Sequence, residues 1–153
     1  MKILYQGYFY QNEKVAMENA KIEYLKHFKI SKNFIFYLHS VSDKESQKLN
    51  YHYFNKNLPA DVITVPLYRN LEEINKLDNN ENEILGDLFL NRNLIKENAF
   101  KYKKTLVEEF QLVLIHGLLH LLGYNDKTKS EKELMRKKEN YYLLKYKEIN
   151  QCN

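Results

Sequence analysis

The sequence has a single cysteine, Cys152, beside its C-terminus. An intrachain disulfide is therefore excluded, as is any thiolate cluster for a metal or an iron–sulfur centre, so a metal must be held by histidine and carboxylate. Arginine is nearly as scarce. Only three of the 24 basic residues are arginine (Arg69, Arg92, Arg136). With the abundance of Lys, Asn, Tyr and Ile, this points to an AT-rich genome, so the number of lysines carries little functional information. There is no long apolar run: the stretch Leu112 to Leu122 is interrupted by His116, Gly117 and His120 and is far shorter than the roughly 20 residues of a membrane span. The start, Met1 to Gln6, lacks the extended apolar region of a secretory signal, and the expectation is a cytoplasmic protein without a membrane segment. No Pro-, Gly- or Ser-rich run marks a linker. The 153 residues, 44% apolar and 14% aromatic, suit one domain, 1–153, with a core of useful size. The net charge of +4 permits a polyanionic partner without requiring one.

Periodicity predicts the elements. Lys2 to Tyr10 reads as a strand, and Asn12 to Phe28 as a helix with Ala16, Ala20, Leu25 and Phe28 near helical spacing. Asn33 to Val41 is rich in aromatic and β-branched residues and reads as a strand. Ser42 and Glu45 form a capping box for a short helix through Leu49. Asp61 to Val65 is a third strand between Pro59 and Pro66. The polar segment Asn70 to Asn82 reads as a surface excursion. Glu83 to Leu90 is a fourth strand, with Gly86 marking a bulge or a close backbone approach. Helices follow from Asn91 to about Ala99, from about Lys104 to Leu122, and from about Ser130 to Lys147. The expected fold is α+β (α/β-like): a small mixed four-stranded sheet with about five helices.

Chemistry concentrates in Leu114-Ile115-His116-Gly117-Leu118-Leu119-His120-Leu121-Leu122-Gly123-Tyr124-Asn125-Asp126. Two histidines four apart on a helix lie one above the other on one face, close enough to share an ion. A glycine at 123 can take the left-handed conformation that ends a helix and reverses the chain, which returns Asp126 toward them. His116, His120 and Asp126, with water in the fourth position, match the open tetrahedral set of a catalytic zinc site, one ion per chain. The competing reading, two ordinary core histidines, requires a buried partner for each imidazole in a stretch that is apolar on every side.

The spacing is similar to the metzincin signature His-Glu-x-x-His-x-x-Gly-x-x-His, but residue 117 is glycine where those peptidases carry the glutamate base. The string His116-Gly117-Leu118-Leu119-His120-Leu121-Leu122-Gly123-Tyr124 more closely resembles the His-Gly-x-Leu-His-Leu-x-Gly-Tyr-Asp-His signature of the YbeY family of endoribonucleases. Leu49-Asn50 with Pro59-Ala60-Asp61-Val62-Ile63-Thr64 resembles a second family block, and Leu85-Gly86-Asp87-Leu88-Phe89-Leu90 a third. The segment after the histidines is similar to the Bacteroidetes branch. The resemblance implies a zinc-dependent, single-strand-specific endoribonuclease. It would act in 16S rRNA 3′-end maturation and ribosome quality control, with single-stranded rRNA or pre-rRNA, the small ribosomal subunit and assembly factors as partners.

Two positions depart from the family. Its third ligating histidine maps to Asp126, which leaves the ion about one charge unit less positive and its water less acidic. Its usual arginine before the Pro-Thr-Asp block maps to Phe54, so a bidentate phosphate contact is lost and Lys56 is the nearest replacement cation.

Further RNA-contact candidates are Lys101, Lys103 and Lys104, interleaved with Phe100 and Tyr102, and Arg92 after the fourth strand; the alternative for the lysines is a solvated loop. Asp61 and Asp87 are candidates to orient a ligand or the bound water from behind the ligands. No side chain stands out as general base. The mixed-sign run from Lys127 to Lys138, with Glu131, Glu133 and Glu139 beside its basic residues, reads as a solvated helix face, and Tyr141, Tyr142, Leu144 and Tyr146 as core or partner-facing. His27, His39 and His52 lack a partner at ligand spacing and read as ordinary histidines. Two other functions fit part of this pattern: a non-catalytic ribosome-assembly or RNA-binding factor, motivated by Phe54, and a metallopeptidase, against which Gly117 counts.

Overall fold

A computed structural model describes residues 1–28, 33–77 and 82–151, except for the side chains of 22–27 and 145–151. Cys152 lies outside the described residues, and the side chains of His27 and Tyr146 lie outside the described set as well. The order is β1 (Lys2–Gln6), α1 (Gln11–Phe28), β2 (Ile35–Val41), α2 (Asp43–Phe54), β3 (Val62–Pro66), α3 (Leu71–Asn75), β4 (Ile84–Asn91), α4 (Arg92–Lys101), α5 (Leu106–Leu121) and α6 (Lys129–Gln151).

The four strands form one mixed sheet in the order β1-β2-β4-β3. β1, β2 and β4 run parallel, and β3 lies antiparallel to β4 at the edge. Among the described residues its outer side is therefore a free strand edge. Helix α5 packs across β3 and β4. Leu114, Ile115, Leu118 and Leu119 of α5 meet Phe36, Leu38, Leu88 and Leu90 of the sheet, with Met17 of α1, Ile95 of α4, and Met135 and Tyr142 of α6 closing the same core.

Local rules place most boundaries. Ser42 and Glu45 form the expected capping box, and α2 continues past Leu49 to Phe54. Thr105 and Glu108 form a second box that starts α5. The first strand stops at Gln6, because Gly7 adopts φ 85° and turns the chain out of the sheet. The Asn70 to Asn82 segment is not wholly irregular. The Asn70 side chain accepts from the Glu73 N–H and starts α3, and Ile74 is completely buried, so one apolar side chain anchors this polar stretch; residues 78–81 lie outside the described set. With α3 the helices number six among the described residues, in keeping with the expected α+β fold of a mixed four-stranded sheet and about five helices.

Gly86 makes the close approach expected of it: its φ is 145°, and a Cβ there would collide with the Val65 carbonyl. The register of β2 against β4 shifts beside it, between Ile35 and Phe36.

A candidate metal centre at the exit of α5

Helix α5 is enclosed nearly all round, with Leu114, Ile115, Gly117, Leu118, Leu119 and Leu121 buried, and it leaves His116 and His120 on a partly open side beside β3. The exit is a Schellman turn: the Gly123 N–H donates to His120 O at 2.9 Å and the Tyr124 N–H to Leu119 O at 3.0 Å. Gly123 has φ 91°, and a Cβ on it would collide with the Arg69 backbone. Both demands select glycine. The reversal returns Asp126 to the histidines, with Oδ2 at 3.8 Å from His116 Nε2 and 3.7 Å from His120 Nε2.

The imidazoles are oriented from behind. His120 Nδ1 donates to the Tyr124 carbonyl at 2.8 Å, and a carbonyl only accepts, so this nitrogen carries the proton. His116 Nδ1 donates to Glu139 Oε1 of α6 at 2.6 Å. With both Nδ1 atoms protonated, the two neutral rings aim bare Nε2 lone pairs at each other across 2.9 Å, beside a carboxylate. Something positive has to lie between them, either a proton or a metal ion.

The donor set fits a metal. One donor atom from each of His116, His120 and Asp126 lies within 4.8 Å of the others. Tetrahedral bonds of about 2.0–2.1 Å need donors ~3.3 Å apart, and the three spacings, 2.9, 3.7 and 3.8 Å, bracket that value. Without a cation a proton takes the place. Burial pushes the His116 imidazole down, but the Glu139 hydrogen bond and charge, with Asp126 and Asp61, outweigh it and the net direction is up. Burial and the positive charge of His116 hold His120 down against the pull of Asp126. Of the two imidazoles His116 is therefore the better holder of a proton between them, and a metal takes that proton's place.

The three ligands line a groove of about 360 Å³ along the free edge of β3. Its lining includes Ala60, Val62, Ile63, Thr64 and Pro66 from β3 and its approach, Phe54 and Lys56 from the end of α2 and the turn after it, and Asn125 and Lys127, the sequence neighbours of Asp126. Lys56 therefore lines the same groove as the three candidate ligands. A smaller cavity behind His116 is lined by Asp61, Glu109 and Glu139. There Asp61 accepts from the Val62 N–H at 2.8 Å and from Asn98 Nδ2 at 3.1 Å.

Other candidates are placed elsewhere. Leu88 packs beneath Gly117 of α5, so by strand alternation Asp87 points to the opposite face of the sheet. There its Oδ1 lies 2.7 Å from His39 Nε2, which corrects its expected place behind the metal. Arg92 does not face the groove: its guanidinium pairs with the buried Glu13 at 2.7 Å and covers the Tyr10 ring at 4.1 Å. Lys101 and Lys103 lie exposed at the turn from α4 to α5, outside the groove lining. Lys104 pairs with Glu109 at 3.3 Å.

Glu139 is the functional residue that the linear reading misplaced, as part of a solvated face. Its side chain is only 15% exposed. The detectable signal was its position between Met135 and Tyr142, both buried, at spacings of four and three on one helix face. Tyr142 is core as expected, whereas Tyr141 and Leu144 are exposed. His52 stands exposed on α2. At residue 117 a Cβ would meet Leu88 Cδ2 at 2.6 Å and Thr64 Oγ1 at 3.3 Å, so a glutamate there is crowded against the sheet.

Fold and site together define an α+β domain with two histidines and one carboxylate that could hold a cation at the end of its central helix. Comparison with known proteins narrows this class. Residues 9–147 match the family model described as Endoribonuclease YbeY, and the chain belongs to that family. Relatives named Endoribonuclease YbeY include those of Karelsulcia muelleri (38% identical; 90% of this chain and 82% of the relative), Amoebophilus asiaticus (35%; 79% and 73%) and Cytophaga hutchinsonii (37%; 72% and 68%). A solution structure from Thermotoga maritima has the same fold, with a TM-score of 0.63 over 99% of this chain and 93% of that one, at 24% identity.

Proposed function

We propose that this chain is a zinc-dependent, single-strand-specific endoribonuclease of the cytoplasm, acting on the 3′ end of 16S rRNA during maturation of the small ribosomal subunit and in ribosome quality control. One observation carries the reading: two bare imidazole nitrogens and a carboxylate converge on one point in a groove whose walls also hold Lys56 and Lys127. Zinc bound there supplies Lewis acidity toward water and the phosphoryl oxygen.

The chain's own residues do the rest. Glu139 and the Tyr124 carbonyl hold His116 and His120 with Nε2 forward, so the donors need only small shifts when an ion arrives. Lys56 and Lys127 offset phosphate charge along the groove. Asp61, behind His116, adds negative charge that favours a cation at the centre. Among the described residues lining the groove, Asp126 is the only carboxylate, and as a ligand it is not free to serve as general base.

Zinc analysis of the purified chain and cleavage of a short single-stranded RNA test this. The expected result is one zinc per chain, lost in His120→Ala, with cleavage abolished by a chelator, restored by zinc and absent on duplex RNA. Cleavage that persists through chelation, or no cleavage by the zinc-loaded chain, overturns it. Should His116→Ala still rescue ribosome assembly in cells, the non-catalytic assembly role takes its place.

A further inference from the structure

We propose that Phe54 is a base-stacking subsite: its ring carries an unpaired nucleobase of an RNA strand whose phosphates follow Lys56 and Lys127 toward His116, His120 and Asp126. The inference rests on the endoribonuclease reading above and adds how the groove selects a single strand.

The groove lining combines two chemistries, the cationic side chains of Lys56 and Lys127 and the phenyl ring of Phe54, with the three candidate metal ligands. A single-stranded nucleic acid offers the complement, phosphate and an aromatic face repeating along one chain. Phe54 is 50% exposed, although it ends a helix that elsewhere buries only Ser46 and Asn50. The backbone that presents it is braced. Asn55 takes the left-handed conformation at φ 56°, with its N–H donating to Tyr51 O at 2.9 Å. The Lys56 N–H donates to Asn50 O at 3.3 Å. Asn50 Nδ2, buried, donates to Leu58 O at 2.7 Å, and Gln47 Nε2 donates to Asn57 Oδ1 at 3.0 Å. The turn is thus tied to α2 by four hydrogen bonds, and little backbone ordering is left for binding to induce. A-form duplex keeps its bases inside the stack, where this ring has no face to meet; a single strand can turn one base out.

The chain has no tryptophan, so Phe54→Trp installs a sole reporter at the subsite. Stopped-flow emission of the full chain carrying Phe54→Trp should be quenched saturably by a short oligoadenylate, before cleavage, and stay unchanged with blunt RNA duplex or with inorganic polyphosphate. Measured with a labelled oligoadenylate, Phe54→Ala and Phe54→Leu should each bind about tenfold more weakly, within the roughly 5- to 150-fold range of one base stack, with zinc content unchanged. The proposal is overturned if Phe54→Ala binds the strand as wild type does. It is equally overturned if the reporter is silent at saturation, responds equally to polyphosphate, or is quenched by an extended peptide but not by RNA. A wild-type chain that cleaves RNA while Phe54→Ala binds normally removes only the stack; a zinc-loaded chain that neither binds nor cleaves RNA removes the endoribonuclease reading and the stack with it.

Discussion

Two histidine–carboxylate pairs lie on opposite faces of the sheet, with nearly the same contact length: His116 with Glu139 at 2.6 Å and His39 with Asp87 at 2.7 Å. Their surroundings make them different objects. In the first pair Nδ1 meets the carboxylate, and the freed Nε2 points at a second imidazole and at Asp126. In the second pair Nε2 itself meets the carboxylate, while the ring lies stacked on Phe89 at 4.4 Å and 17°. His39 and Asp87 belong to no group of three candidate ligands among the described residues. A carboxylate behind a histidine makes a metal site only when the opposite nitrogen is aimed at further donors. Otherwise the pair is a polar contact worth about 1 kcal/mol of stability.

The strongest way to break this comparison is to delete one histidine from each pair. His116→Ala should abolish zinc retention in the purified chain, whereas His39→Ala should leave zinc content unchanged and lower stability by about 1 kcal/mol; zinc analysis and urea unfolding read both. Equal zinc loss in the two variants contradicts the distinction.

Removing the carboxylates is the next test. Glu139→Ala should weaken zinc binding about 10–100-fold, measured by competition with a chromophoric chelator, and Asp87→Asn should leave the zinc affinity within about twofold.

Acid sharpens the contrast further. The His116 value is raised above its ordinary 6.5. Stabilisation of the ion-free centre by that proton is thus fully present below the unfolded value and is lost as pH rises through the folded one. The metal gains what the proton loses, so zinc affinity should begin to fall as pH drops through the raised His116 value, earlier than for an ordinary imidazole. Glu139→Gln should move this competition to lower pH, because the group that raises His116 is gone, while the affinity measured at alkaline pH falls. A Glu139→Gln release curve unchanged in both position and plateau would show that the carboxylate does not act through His116.

The smallest effect concerns lysines. Lys56→Ala should reduce the salt dependence of RNA binding by about one unit in the log–log slope, and Lys103→Ala, outside the groove, should leave it unchanged. The reverse ranking would move the RNA path to the α4–α5 turn.

Legibility in the linear chain followed the range of each interaction. His116, His120, Gly123 and Asp126 were readable together because one helix and one turn place them: the spacing of four and the left-handed glycine are local facts. The capping box at Ser42 and the close approach at Gly86 were readable for the same reason. α3 was missed because one buried residue, Ile74, in a polar stretch leaves no periodicity to detect. Glu139 was misread because 23 residues separate it from its partner, and its own neighbourhood is rich in charge.

Lysine and arginine positions were the least readable. Charge type says nothing about direction, so Arg92, turned back onto Glu13 and Tyr10, looked no different from Lys56. The sequence by itself determined the helix, the turn and the three converging donors, since backbone geometry over eleven residues suffices to bring them together. Only the tertiary structure decided which carboxylate supports His116, which face Asp87 occupies and which cations share the groove. Those choices depend on how α6 packs against α5 and on which side of β4 each residue points, and neither is encoded within the reach of a single element.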